Sequence, residues 1–351
     1  IENSVKVDGK KLQDFTKVYR SHVPYHVDIN AQLYSLLAEE ACLDAGVSLA
    51  YYQFPQKVEQ TADGWLVDVV GQGVAYQLRC AQIIDCTGGA EVVGMLGMER
   101  LRGKTRQPGT HVVTFKGFDT KVVRENAALI KKKYNEAIEN GTLQKGDTWT
   151  GNIMGVIAST RGNTNHIFGA DSTNAATQTQ TNLAGRKCVL RLLKFFKTIP
   201  GGEKASINKM MNETASRETY RIKGETMITV HDYTSGRIFD DALSYSFYPI
   251  DLHDEKGVVP RHLKHGTVPT IPRGALIPKG SKNIMVAGRS VSSDRLANSA
   301  ARVQASSMGM GQAAAVTAVL AARLKTTPGD VPLEKIHAEL KKHNAIVPAR
   351  S

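Results

Sequence analysis

Residues 281–290, SKNIMVAGRS, and the stretch SAARVQASSMGMGQAAAVTAVLAA at 299–322 decide how this 351-residue chain is read. Ile284-Met285-Val286-Ala287 is an apolar run short enough for a buried strand, and it opens into Gly288-Arg289. Residues 299–324 that follow are a long stretch of small residues broken by Gly309-Met310-Gly311-Gln312, which Ala313-Ala314 extends to a hexapeptide. That hexapeptide fits G-x-G-x-x-A, the spacing with which backbone approaches a pyrophosphate at a helix N-terminus. It also fits a small-residue helix packed tightly on a neighbour, the weightier reading on spacing alone, since no hydrophobic strand runs directly into it.

A second strand-then-glycine element stands far upstream, where Ile83-Ile84-Asp85-Cys86 leads into Thr87-Gly88-Gly89. Without a Cβ the backbone can turn sharply at such a point. Two strands ending in open glycine turns, with a Gly/Ala-rich helix, are what a sheet needs to bring backbone against a flat, phosphate-bearing cofactor. Working outward, apolar residues at helical spacing predict an amphipathic helix over 28–46, capped by Gly46. Three strands follow within 47–86, the last running from Cys80 to Cys86, with Gly71-Gln72-Gly73 as a hairpin turn. Further on, the pattern predicts a strand in 109–119 and helices near 121–140, 173–196 and 205–218. Strands over 219–233 and 244–254 and a last helix over 332–343 complete the reading.

Composition narrows the class. Hydrophobic residues at 41% and charged residues at 22% describe an ordinary globular chain, long enough for two or three domains. The formal charge of +12 permits nucleic acid, an acidic membrane or an anionic small molecule as partner. The basic residues are dispersed and only 6% of residues are aromatic, so no nucleic-acid partner is expected. Cys42, Cys80, Cys86 and Cys188 show no C-x-x-C spacing, which argues for reduced thiols and against a metal site. No run approaches the length of apolar residues that a span needs, and the polar opening IENSVKVDGKKLQ has no apolar signal core. No integral membrane association is expected, and a cytoplasmic location is favoured.

The segments LIPKGSKNIMVAGRSVSS, SAARVQASSMGMGQAAAVTAVLAA, IIDCTGG and SYSFYPIDLHD closely resemble FAD-dependent oxidoreductases of the glutathione-reductase-like flavoprotein superfamily. The resemblance extends from about Pro24 to about Leu324, and its C-terminal motif is the most specific part. It implies an α/β fold in which a discontinuous FAD/NAD(P)-binding-like domain, residues 1–100 and 271–351, carries an inserted α+β substrate domain, residues 101–270. It implies non-covalent FAD and hydride transfer with a small organic substrate. Thr87 and Gly88 would lie near the ADP half of the cofactor, and the backbone of Val58 would lie against the adenine. Gly288 and Arg289 would meet the pyrophosphate and ribityl chain. Arg302-Val303-Gln304 and Gly311-Gln312-Ala313 would bring backbone and a helix N-terminus to the flavin ring, where the positive helix end favours negative charge on the reduced flavin.

The family opens with a strand, G-x-G-x-x-G and a helix, and no such element precedes Asp28. The favoured explanation is that a first unit of roughly 60–90 residues lies upstream of Ile1. The alternative is a flavin-free fragment or interaction protein that keeps the scaffold. For catalysis, His253 in the 244–254 strand is read either as an acid/base near pH 7 or as a structural histidine. Arg273 and Arg289 either bind an anionic substrate or neutralise phosphates, and His231 is ambiguous between core, surface and site. Neither H-E-x-x-H nor G-x-S-x-G occurs.

Overall fold

The computed structural model describes residues 5–7, 27–258, 260–264 and 266–349. The chain mixes helices and strands and divides into two compact units, Ile1–Glu99, Ile222–Ile250 and Arg261–Ser351 forming the first and Arg100–Arg221 with Asp251–Pro260 the second. The second unit thus has narrower bounds than the inserted segment 101–270 that the resemblance implies. Ala242–Tyr245 pairs antiparallel with Thr270–Pro272, and Ile228, Tyr233, Leu243 and Ile250 are buried in the core of the first unit.

In the first unit, Gln53–Thr61, Gly64–Gly71 and Val74–Cys80 form an antiparallel meander, with the turn at 71–73 as expected. The strand expected over 80–86 is broken. Val74–Cys80 belongs to the meander, whereas Ile83–Asp85 pairs parallel with Ile284–Val286. The reason is local: Trp65 Nε1 donates to the carbonyl of Asn283 at 2.8 Å and Gln82 Nε2 donates to Asn283 Oδ1 at 3.0 Å, so the chain leaves the meander at 81–82 to join a different partner. Val58, Trp65 and Val67 on the meander pack with Ile284 and Val286 of the parallel pair. The helix Ala31–Asp44 forms where predicted, capped by Asn30, but none of its residues is buried.

The predicted strand over 219–233 is replaced, at its end, by the helix Val230–Ser235. Thr229 and Asp232 cap it reciprocally, a capping-box signal that outweighs the β-forming residues around it. The strand predicted over 244–254 is likewise short, since the strands are Ala242–Tyr245 and the two-residue His253–Asp254, the latter paired with Gly257–Val258. Helix Gln304–Leu324 is continuous through Gly309 and Gly311. The hexapeptide is thus helix interior rather than a phosphate-binding turn, and Gly311, Gln312 and Ala313 do not lie at a helix N-terminus. An added Cβ at Gly309 would stand 3.4 Å from Ser244 Cβ, an ordinary contact, so the helix lies against the strand there without requiring glycine. By length and composition this helix could cross a membrane; 39% of its most apolar window is buried, and Met310, Ala313, Ala314, Thr317 and Ala321 form its inward side.

In the second unit, Val113–Lys116 pairs antiparallel with Ser206–Met210, where a helix over 205–218 was expected. An available strand edge overrides a weak helical preference. Helix Ala175–Phe196 closes the core, and Phe196 meets Phe115 and Phe118 edge to face at 4.9 and 5.2 Å. The charged segment expected as one helix is two, Thr120–Glu125 and Ala127–Glu139.

Candidate functional site

The first candidate surface lies at the C-terminal ends of the parallel strands Ile83–Asp85 and Ile284–Val286. Both chains pass into left-handed glycines, Gly88 at φ +75° and Gly288 at φ +91°. Arg289 bridges the turns, its Nε donating to the Gly88 carbonyl at 2.9 Å. Burial pushes the guanidinium below its ordinary value, and Glu91 opposes that shift. A Cβ at Gly88 would stand 2.6 Å from Arg289 Nε, so only glycine lets the arginine lie there. At Gly288 the nearest atom to an added Cβ is Ser307 Oγ at 3.8 Å, which leaves that turn open.

Asp85 holds this end of the sheet in place. The carboxylate is 1% exposed and accepts from Thr87 N (3.0 Å), Thr87 Oγ1 (2.6 Å), Val92 N (3.0 Å) and Val93 N (3.2 Å), fixing the turn and capping the short helix Glu91–Met95. The sequence reading passed over it, although an acidic residue two positions before Thr-Gly-Gly is an Asx-turn signal.

Other expected cofactor residues are dispersed over the same unit. Val58 is buried mid-meander, paired with Val67. Arg302 ends helix Arg295–Ala301, and Val303 is the N-cap of Gln304–Leu324 without any side-chain cap, so Gln304 stands on an exposed and uncapped helix start. Gln312 Nε2 reaches the His343 carbonyl at 3.4 Å, and Ala313 is buried. Arg273 donates through Nη1 to the Val331 carbonyl at 2.5 Å and the Pro328 carbonyl at 3.4 Å, which ties down the turn before the last helix. His231 is exposed in the first turn of its helix.

Ser290 Oγ and Asn298 Oδ1 flank the Arg289 turn, buried and without a partner among the described residues. Open glycine backbone, an arginine, the unpartnered Ser290 hydroxyl and an uncapped helix start form a donor set that fits an extended, anionic nucleotide such as FAD. No cluster that could hold a metal occurs among the described residues.

The second candidate surface belongs to the second unit and is built around His253. Its ring is 3% exposed, stacks on Trp149 at 5.4 Å and 18°, and shares a 2.9 Å hydrogen bond from Nδ1 to His166 Nε2. His253 Nε2 faces Asp251 Oδ2 at 3.3 Å, and Gln107 Oε1 accepts from the His253 backbone at 3.1 Å. His166, Trp149 and Asp251 carried no role in the sequence reading. No local motif marks them, since His166 and His253 are 87 residues apart.

Burial, the Arg217 charge and the neighbouring His253 push His166 down to about 4 from 6.5. An unfolded His166 binds a proton near pH 6.5 that the folded protein refuses until about pH 4, so stability falls as pH drops through that window. The contribution is on the order of 3 kcal/mol. His166→Gln is expected to lose less stability than the parent between pH 7 and 4.5, read by urea unfolding at each pH; an equal loss in both would contradict this account.

A family model described as FAD dependent oxidoreductase matches residues 4–340 of this chain. Among solved structures, OxyS anhydrotetracycline hydroxylase from Streptomyces rimosus is similar at 26% identity over 26% of this chain, with a TM-score of 0.24. The match spans only 20% of that hydroxylase chain. No curated protein matches.

Proposed function

We propose that this chain, which belongs to the FAD dependent oxidoreductase family, is a flavin redox enzyme with FAD as its cofactor, and that it transfers a hydride between a small organic substrate and non-covalently held FAD. The alternative of a flavin-free interaction protein is not favoured by a family match over 4–340. The observation that carries the reading is the parallel strand pair whose two ends become left-handed glycines bridged by Arg289. FAD, when bound, supplies a two-electron acceptor at N5.

The chain's own residues hold and orient. Gly88 and Gly288 let backbone approach the dinucleotide, Thr87 steadies the first turn, and Arg289 offsets phosphate charge. The uncapped helix start at Arg302, Val303 and Gln304 lends partial positive charge. In this reading the first unit is the cofactor unit, the second binds substrate, and His253 moves the proton that accompanies the hydride. Arg273 is assigned to the 328–331 turn rather than to substrate.

Purified protein is expected to show flavin absorbance and to release FAD on denaturation. Gly88→Ala forces a side chain onto φ +75° and displaces Arg289. FAD affinity should then fall at least about tenfold, roughly 1.4 kcal/mol, measured by flavin fluorescence titration. A folded parent protein that takes up no added FAD would overturn the reading.

A further inference from the structure

The second unit contains a cleft of about 510 Å³, a volume suited to a small organic molecule, lined by Tyr134, Trp149, Phe168 and His166. The hairpin His253–Asp254 and Gly257–Val258 forms one wall, so a single element carries both cleft surface and His253. His166 is locked in orientation. Its backbone N–H donates to the Gly146 carbonyl at 2.7 Å, and its ring meets Trp149 and Phe168 edge to face at 5.8 and 5.9 Å.

We infer that His166, His253 and Asp251 form a proton relay opening into this cleft, and that the cleft takes a planar small molecule with a weakly acidic hydroxyl, of the phenol class. The donor and acceptor pattern leads there. His253 Nε2 faces a carboxylate and so carries a proton, which leaves Nδ1 as acceptor in the neutral ring. His166 Nε2–H therefore donates to His253 Nδ1, and His166 Nδ1 presents a lone pair. That atom has no hydrogen-bond partner among the described residues, on a ring that lines the cleft.

The proton's path balances. The bound hydroxyl gives its proton to His166 Nδ1, His166 passes its Nε2 proton to His253 Nδ1, and the phenolate stays in the cleft. The positive charge comes to rest on His253, between the Asp251 carboxylate and the stacked Trp149 face, which favours a cation. Charges near His166 are Arg217 and Asp254, with Lys145, Lys256, Glu139 and Glu255 lining the cleft. The low basicity of buried His166 suits a group that passes a proton on without keeping it. Three rings along the walls favour a planar ligand. For its use in turnover the relay rests on the oxidoreductase reading, with His253 acting through His166 as a positioning residue.

The test uses the whole chain and 4-nitrophenol, whose ionised form is read by its absorbance and whose binding is read by equilibrium dialysis of the probe. One pH unit below the probe's own pKa, the bound probe is expected to be mostly phenolate, a shift of its ionisation ratio of about tenfold or more. His253→Gln and Asp251→Asn should bind the probe and lose that shift, while Trp149→Ala should lose binding. Should a variant fail to fold, imidazole nitrogen NMR of the parent decides, since saturation with probe should move the proton of neutral His166 from Nε2 to Nδ1 and protonate His253. An unshifted probe at saturation, no binding, or an undiminished shift in folded Asp251→Asn overturns the relay. A yellow, FAD-bearing protein that leaves the probe un-ionised fails the relay alone, and a protein that ionises the probe but takes up no FAD fails the flavin reading alone.

Discussion

Asp85→Ala is expected to lower stability by about 3–5 kcal/mol, the range for stripping a buried charge network of its acceptor. Three backbone N–H groups and the Thr87 hydroxyl all point at this carboxylate, and alanine leaves them facing a void that water fills poorly. Asp85→Asn keeps one carbonyl oxygen but turns an NH2 toward donors, so it should recover less than half of the loss. Urea unfolding of the two variants checks both figures. Because Asp85 also shapes the Thr87-Gly88 turn, FAD retention should fall with stability, and an Asp85→Ala protein as stable as the parent would contradict the capping role given to the carboxylate.

A second large effect is expected at Asp147, in the other unit. This carboxylate is buried and receives Arg191 through Nε at 2.8 Å and Nη2 at 2.6 Å, with the Gln144 backbone N–H at 2.9 Å. The bidentate fork pushes the Arg191 guanidinium above its usual value. Asp147→Ala leaves that charge without its partner and should cost about 3 kcal/mol, toward the low end of the range for broken buried pairs, because Arg191 is 24% exposed and water relieves part of it. Arg191→Met in the same chain should restore at least about 1 kcal/mol, since an apolar side chain of similar length tolerates the loss that a guanidinium does not. A double variant no better than Asp147→Ala would show that the carboxylate acts through the 144–147 turn instead.

These two carboxylates illustrate what the linear order of residues reveals. Strand-then-glycine was visible at 83–89 and 284–289 because a strand has a short apolar run and glycine has a conformational freedom no other residue shares. The long helix expected over 173–196 was equally visible, since helical periodicity is a local property, whereas the small-residue stretch 299–324 read as broken at its glycines and is helical through them. The helix expected over 205–218 and the strand expected over 219–233 differ from the structure because the deciding interactions are a strand edge about a hundred residues away and a two-residue cap. The G-x-G-x-x-A match failed for a related reason: glycines inside a helix and glycines at a phosphate turn share a spacing and differ in backbone conformation.

Residue order pointed to a phosphate-bearing cofactor, the resemblance of 83–89, 276–293 and 299–322 to a flavoprotein family implied FAD, and the family match bears FAD out. Backbone glycines, an arginine and a small-residue helix are fixed by type and spacing, and FAD recognition relies on backbone more than on particular side chains. The pairing of His166 with His253, the stack on Trp149 and the bonds from the Val92 and Val93 backbone to Asp85 could not be foreseen. Each arises where separate elements pack, and the strength and protonation of such groups depend on burial and on neighbours far away in the chain.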